Sequence, residues 1–287
     1  MKPYLKLLRM SHWVKNLFIF APMIFSFRLF DPTAIKPAIL AFISFSLTAS
    51  SIYIFNDIMD IEIDRLHPRK KHRPVASGII AIKQAFIFSA TLTTAGLSAG
   101  ALLGLNSVLV LLMYIMLNIA YTLKLKHIAI IDIFCIAASF VLRLFMGSFA
   151  TSIALSQWII VMTFLLAIFL ALAKRRDDVI IFLNGGKTRK SVEGYNLRFI
   201  DYSMAMSAAV ILVAYLMYCM SAEVTERIGS PHIYITFPFV LFGLMRYLQV
   251  TFVLEKSGCP TEIILKDFLM KLAVMGWFVT FLLLIYS

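Results

Sequence analysis

The forty residues Ile35–Pro74 read IKPAILAFISFSLTASSIYIFNDIMDIEIDRLHPRKKHRP. Their first half, through Phe55, carries one charge, Lys36, and is long enough as a helix to cross a hydrocarbon core of about 30 Å. Their second half turns abruptly polar, with Asp57, Asp60, Glu62 and Asp64 followed by Arg65, Arg69, Lys70, Lys71 and Arg73. A membrane helix that ends in a dense cluster of acids and bases is the feature from which the rest of the chain is read.

Composition agrees. Of 287 residues, 61% are hydrophobic and 15% charged, whereas soluble domains are near half apolar and a quarter charged. A soluble enzyme, a disordered scaffold and a secreted disulfide framework are excluded on that ground. Apolar runs predict nine spans: Leu17–Phe30, Ile35–Phe55, Lys83–Leu103, Ser107–Leu123, Ile128–Ala150, Gln157–Ala173, Tyr202–Met220, Ile233–Leu254 and Phe268–Tyr286. Trp13 and Val14 extend the short first run, and tight hinges are expected at Gly104–Asn106 and Thr151–Ser156. The basic start enters an apolar run without a small-residue cleavage site, so no cleaved signal peptide is expected. The expectation is an all-α, polytopic membrane protein forming one integral-membrane domain over residues 1–287.

The net charge of +12 raises the question of nucleic acid, and its distribution answers it. With nine spans, 21 of the 27 Lys and Arg residues fall on one side, which the positive-inside rule makes cytoplasmic. The N-terminus is then inside and the C-terminus outside. No interleaved aromatic-basic surface of the kind single strands need is present, so membrane lipid and not nucleic acid is the expected surroundings. Cys135, Cys219 and Cys259 form no CxxC pair, and His12, His67, His72, His127 and His232 form no HxxxH pair, which leaves zinc chemistry unsupported. No glycine-rich nucleotide fingerprint occurs; Gly185-Gly186 lies in a polar loop, Asn184–Arg198.

Asp57, Asp60 and Asp64 follow an i, i+3, i+7 spacing that puts them within an arc of about 60° on a helix, with Glu62 on the opposite side. Three carboxylates on one face repel each other unless something positive lies between them. Mg2+ suits such a place, because it takes few carboxylates and shares its other positions with water and phosphate oxygens. The bases that follow can grip further phosphate oxygens, Arg in bidentate fashion, and Pro68 and Pro74 end the helix and shape the loop. Acids for a metal beside bases for phosphate describe a metal-diphosphate site. The bland alternative is a solvated, self-neutralising helix end, but ionisable groups abutting a membrane helix are expensive and usually functional.

A second polar cluster runs from Tyr121 through Lys124, Lys126 and His127 to Asp132, Arg143 and Gly147. Asp132 and Arg143 lie three turns apart, about 16 Å on one helix face, as site residues or as structural ion-pair partners. Arg9, Trp13, Lys15 and Asn16 form a basic-aromatic entry to the first span, of a kind common in interface anchors. Lys174, Arg175 and Arg176 read first as topogenic residues and second as phosphate ligands.

These residues resemble the UbiA superfamily of intramembrane prenyltransferases. Asn56, Asp57, Asp60 and Asp64 match its NDxxDxxxD element, and nine spans is its helix count. Within it, the chain is most similar to the branch that moves phosphoribose onto decaprenyl phosphate. Arg9–Asn16, Asn56–Pro74, Leu125–His127, Asp132, Phe140–Arg143, Gly147, Lys174–Asp178, RYLQV and Pro260–Asp267 carry that likeness. The chain departs from the aromatic branches at the second DxxxD motif, where Asp132 is followed four residues later by Ile136.

The resemblance implies Mg2+-dependent transfer of 5-phosphoribose from phosphoribosyl diphosphate (PRPP) to a polyprenyl phosphate such as decaprenyl phosphate, with release of pyrophosphate, in a bacterial plasma membrane. It implies Asp57, Asp60, Asp64 and Asp132 as metal ligands, with Lys15 (or Arg9), Asn56, Lys70, Arg73, Tyr121, Lys126 and Arg143 meeting the substrates. The alternative within the superfamily is prenyl transfer from a diphosphate to an aromatic acceptor such as 4-hydroxybenzoate. A transporter is a third reading, but those place charge near the midplane, often in repeated halves. A homo-oligomer is not readable from the residues.

Overall fold

The computed structural model describes residues 2–26, 28, 31–66, 70–186, 190–255, 263 and 266–286. His67, Pro68, Arg69, Cys259 and most of the Pro260–Asp267 segment lie outside the described residues. The described chain is helical: α1 Lys2–Leu8, a 3-10 segment Met10–Phe20, α2 Ala21–Phe25, α3 Pro32–Met59, α4 Ile61–Leu66, α5 Ile82–Ala101, α6 Leu105–Leu123, α7 Ile131–Thr151, α8 Gln157–Leu183, α9 Leu197–Met220, α10 Ala222–Ile228, α11 Phe237–Phe252 and α12 Phe268–Tyr286.

Among the described residues, six helical stretches are long and apolar enough to cross a membrane: Pro32–Met59, Leu105–Leu123, Ile131–Thr151, Gln157–Leu183, Leu197–Met220 and Ile233–Phe252. The other three expected spans take different forms among the described residues. Leu17–Phe30 is no single helix: the 3-10 turn runs to Phe20 and a five-residue helix follows. Pro22 lacks the N–H that would continue the ladder, so the helix register restarts at Ala21. The segment Lys83–Leu103 is helical as α5, but its TLTTAGLSAG stretch dilutes the apolar content. The ninth expected span is helical as α12, Phe268–Tyr286, with its apolar stretch at Phe268–Leu284. Both expected hinges are present, at Gly104 (φ +105°) and at Ser152 (φ +55°).

By contact the chain divides into two compact units, Met1–Lys126 with Ala138–Ser156, and His127–Ala137 with Gln157–Ser287. In the first, Asp31 caps α3 by accepting from the Thr33 N–H at 2.9 Å, and Pro32 occupies the first turn, where its missing N–H costs nothing. α3 is rich in Ser and Thr because its small polar face packs on α5. Ser44 Oγ donates to the Gly96 carbonyl at 2.7 Å, Thr93 Oγ1 to Ser51 Oγ at 2.9 Å, and Ser89 Oγ to the Ser51 carbonyl at 2.9 Å. Small residues that let helices approach, joined by interhelical hydrogen bonds, are the usual cement between apolar helices in lipid. Phe45, Leu111, Tyr114, Leu142 and Met146 fill the adjoining core with Ile19 from the 3-10 segment.

The second unit packs α8, α9 and α11 around Phe169, Leu172, Val179, Ile200, Met204, Leu244, Tyr247 and Val250. At another point of this unit, Tyr215 OH receives the Trp277 indole N–H and meets Thr236 Oγ1, each at 2.6 Å.

Gly147 of α7 has a packing reason. A Cβ there would stand 2.0 Å from the Ile19 carbonyl oxygen, a backbone atom that cannot step aside alone. Gly147→Ala is expected to destabilise the first unit by about 1–3 kcal/mol, as overpacking does, read as a lower melting temperature in detergent. An unchanged melting temperature would contradict this close approach.

Candidate active site

The polar site of the first unit grows from the end of α3. Backbone bonds from Asp60 N to the Asn56 carbonyl (3.0 Å) and from Asp64 N to the Asp60 carbonyl (2.8 Å) carry helical register from α3 into α4. The predicted arc therefore holds for Asp57 and Asp64, which both accept from Arg73 Nη1, the first at 3.0 Å. Glu62 faces away, exposed. Asp57, 3% exposed, also pairs with Arg9 Nη2. Arg9 reaches it from the junction of α1 and the 3-10 segment, in a left-handed conformation (φ 49°, ψ 50°) uncommon for a non-glycine residue.

Asp60 turns to another cation. Lys126 Nζ, in the 3-10 turn Leu125–His127 after α6, donates to its Oδ1 at 2.6 Å, and Asn56 Nδ2 to its Oδ2 at 3.1 Å. Thr122 Oγ1 donates to Asn56 Oδ1 at 3.3 Å, which fixes the amide's orientation. Three acids, two arginines and a lysine thus interlock where α3 ends. The negative end of a helix dipole disfavours carboxylates, so these cations offset both the helix end and the mutual repulsion of the acids.

Other predicted residues are placed as follows. Arg143 donates from Nε to Asn16 Oδ1 at 2.8 Å and from Nη1 to the Ser139 carbonyl at 2.5 Å. Its guanidinium lies 4.9–5.3 Å from the ring centres of Phe45, Phe140 and Tyr114. Asn16 in turn donates to Ser46 Oγ at 2.9 Å. Those bonds and rings make Arg143 a buried support that ties the 3-10 segment to α3 and α7. Lys15 is half-buried, Lys70 opens the 3-10 turn that precedes Arg73, and Tyr121 is half-buried near the end of α6.

Asp132 belongs to the second unit, is fully buried, and accepts from Arg175 Nε at 2.6 Å and Tyr195 OH at 2.7 Å. Arg175 also pairs with Asp178, and Arg176 Nε with Asp201 Oδ1 at 2.8 Å. Burial, and then the hydrogen bond to Asp132, hold the Tyr195 phenol above its usual pKa, so it stays a donor. Tyr195 is a neighbour the sequence did not single out, and Arg175, read there as a topogenic residue, is the buried counter-ion of Asp132. The i, i+3 spacing of Arg175 and Asp178 was a readable signal, while Tyr195 offered none.

Among the described residues no three His, Cys, Asp or Glu side chains form a ready-made metal cage. Asp57 and Asp64 nevertheless fit a hard cation: two carboxylate oxygens already share one positive nitrogen between them. Two carboxylates are what Mg2+ commonly takes from a protein when phosphate oxygens and water supply the rest.

Removing one partner of a buried ion pair costs about 3–5 kcal/mol; here the loss is smaller, because Arg73 is 25% exposed and Asp57 keeps Arg9. Arg73→Met is therefore expected to lower the melting temperature in EDTA and to recover part of the loss on addition of Mg2+. An equal loss with and without Mg2+ would separate the shared position from the metal.

Comparison with known proteins places this geometry. Residues 17–251 match the UbiA prenyltransferase family. A decaprenyl-phosphate phosphoribosyltransferase of Mycolicibacterium smegmatis is 30% identical over 286 residues, 95% of this chain and 89% of its own length. Its namesake from Corynebacterium glutamicum is 29% identical over 98% of this chain and 86% of its own. A solved UbiA homolog from Archaeoglobus fulgidus, bound to DMAPP and Mg2+, shares the fold with a TM-score of 0.72 at 17% identity, covering 99% of each chain. Sequence match, helical architecture and the acids at the end of α3 converge: this chain belongs to the UbiA prenyltransferase family.

Proposed function

We propose that the protein transfers 5-phosphoribose from PRPP to a polyprenyl phosphate such as decaprenyl phosphate, releasing pyrophosphate. The likeness over nearly the whole chain to two phosphoribosyltransferases supports this reading. The observation that carries it in the site is the interlock of Asp57, Asp60 and Asp64 with Arg9, Arg73 and Lys126. PRPP brings a diphosphate that needs a dication and a separate 5-phosphate that needs bases.

In this reading a lipid phosphate oxygen bonds to the anomeric carbon as the bond from that carbon to the diphosphate breaks. The acceptor is already anionic, so no general base is required. Charge builds on the departing diphosphate, and fixed cations aimed at it lower the barrier. Mg2+, when bound, supplies charge neutralisation of that leaving group. Asp57 and Asp64 hold the metal, and Asp60 and Asn56 lie toward the ribose. Arg73, Arg9 and Lys126 exchange carboxylate oxygens for phosphate oxygens, with Lys15, Lys70 and Tyr121 as further contacts. Arg143 acts through the 3-10 segment that it supports.

The proposal includes one membrane domain of nine crossings, with N-terminus and site cytoplasmic and C-terminus outside, in a bacterial plasma membrane. The concentration of 21 of the 27 Lys and Arg residues on one side supports that orientation.

Purified protein with Mg2+, decaprenyl phosphate and labelled PRPP is expected to move label into the organic phase, and Asp60→Asn and EDTA are each expected to abolish it. Folded protein that yields no lipid label, but joins a prenyl diphosphate to 4-hydroxybenzoate, would overturn the donor assignment. Lys126→Ala is expected to raise the KM for PRPP roughly tenfold or more, the scale of a lost charged hydrogen bond. An unchanged KM would remove Lys126 from the phosphate site.

A further inference from the structure

We propose that Asp132 is the keystone of a lock that fastens the segment Ser191–Tyr195 to the turn before α7, and that the divalent cation is left to the acids of residues 57–64 alone.

The carboxylate of Asp132 is saturated. Its Oδ1 accepts from Tyr195 OH at 2.7 Å and from the Ile133 N–H at 2.9 Å, and its Oδ2 from Arg175 Nε at 2.6 Å and Ser191 Oγ at 3.4 Å. An ionised carboxylate offers about four lone-pair sites, and here four donors take them. The residue is 0% exposed and its arginine 1%. Withdrawing the carboxylate to ligate a metal would strip Arg175 of its fully buried counter-ion, and its other acidic partner, Asp178, is 25% exposed.

The partners have a common purpose. Ser191 lies within the 3-10 turn Lys190–Gly194, and Tyr195 directly follows it. Tyr195 OH donates to Asp132 while accepting the Ile130 N–H at 2.6 Å. Ile130 is a β-branched residue at φ +68°, a strained conformation that persists only when its surroundings over-determine it. A Cβ on Gly194 would stand 2.6 Å from the Ala129 Cβ, so the two backbones meet as closely as glycine permits. Val192 and Tyr195 complete the seam by joining the apolar cluster of this unit, with Ala129 packed against it. The four donors to Asp132, with Ala129 and Ile130, lie inside the second unit.

The metal half of this inference rests on the magnesium reading proposed above; the lock half does not, and two measurements keep them apart. Equilibrium dialysis of detergent-purified protein against Mn2+ with inorganic pyrophosphate reads metal, and hydrogen exchange of residues 191–195 reads the lock. The wild type is expected to bind one Mn2+ per chain. Asp132→Asn and Tyr195→Phe are both expected to keep that stoichiometry and an affinity within about twofold, while residues 191–195 exchange tenfold or more faster. Asp64→Asn is expected to lose Mn2+ with exchange at 191–195 unchanged. Loss of Mn2+ in Asp132→Asn with retention in Tyr195→Phe would make Asp132 a ligand and overturn the assignment, as would two Mn2+ per wild-type chain. If Asp132→Asn fails to fold, Tyr195→Phe decides: faster exchange with Mn2+ retained upholds the lock, and wild-type exchange overturns it. A wild type that binds no Mn2+ would sink the magnesium reading, and the exchange data would still judge the lock.

Discussion

Carboxylates at the C-terminal end of a long apolar helix are the constraint on which the first unit is built. Helix dipole, low dielectric and mutual repulsion all oppose Asp57, Asp60 and Asp64 there. The chain meets this opposition with cations brought from three separate elements. Arg9 comes from the junction before the 3-10 segment, Arg73 from the loop after α4, and Lys126 from the turn after α6. Each therefore has to be delivered by packing: the Arg143–Asn16–Ser46 contacts hold the 3-10 segment against α3, and Thr122 and Asn56 orient the Lys126 side. A cluster whose cations sit on its acids is also primed for exchange, since a dication and a polyanionic diphosphate arriving together can replace those pairs without leaving a charge unmatched.

Much of this was legible in the sequence, and the reasons for success and failure are physical. Long apolar runs announce helices because only an internally hydrogen-bonded segment survives in hydrocarbon, so α3, α6, α7 and α9 follow the expected runs closely, whereas α8 continues past Ala173 through its charged residues to Leu183. The first expected span takes a 3-10 form that hydropathy does not foresee, because Pro22 and the buried Asn16 interrupt an apolar stretch. The shared face of Asp57 and Asp64 was readable because both lie on one continuous helical register. Asp60's pairing with Lys126 was not, because 66 residues separate them and only tertiary packing joins them.

Asp132 and Arg143 show the same limit from the other side. Residue type marked both as interior, and burial bears that out. Their partners decide what they do, and those partners are remote: Arg175 and Tyr195 for Asp132, and Asn16 with three aromatic rings for Arg143. One helix thus supplies a keystone to the second unit near its start and a support to the first farther along. An intramembrane charge can be conspicuous in a sequence and still be spent on holding a loop or a helix in place.

The central claim is that the acids at the end of α3 form the cation half of a site whose anion half is Arg9, Arg73 and Lys126. Calorimetric titration of the wild type with PRPP, in Mg2+ and again in EDTA, tests it most directly. The account predicts saturable binding in Mg2+ that weakens at least tenfold in EDTA, about 1.4 kcal/mol or more. Equal affinity in the two buffers would mean that the basic residues bind the diphosphate unaided, and would contradict the metal role of Asp57 and Asp64.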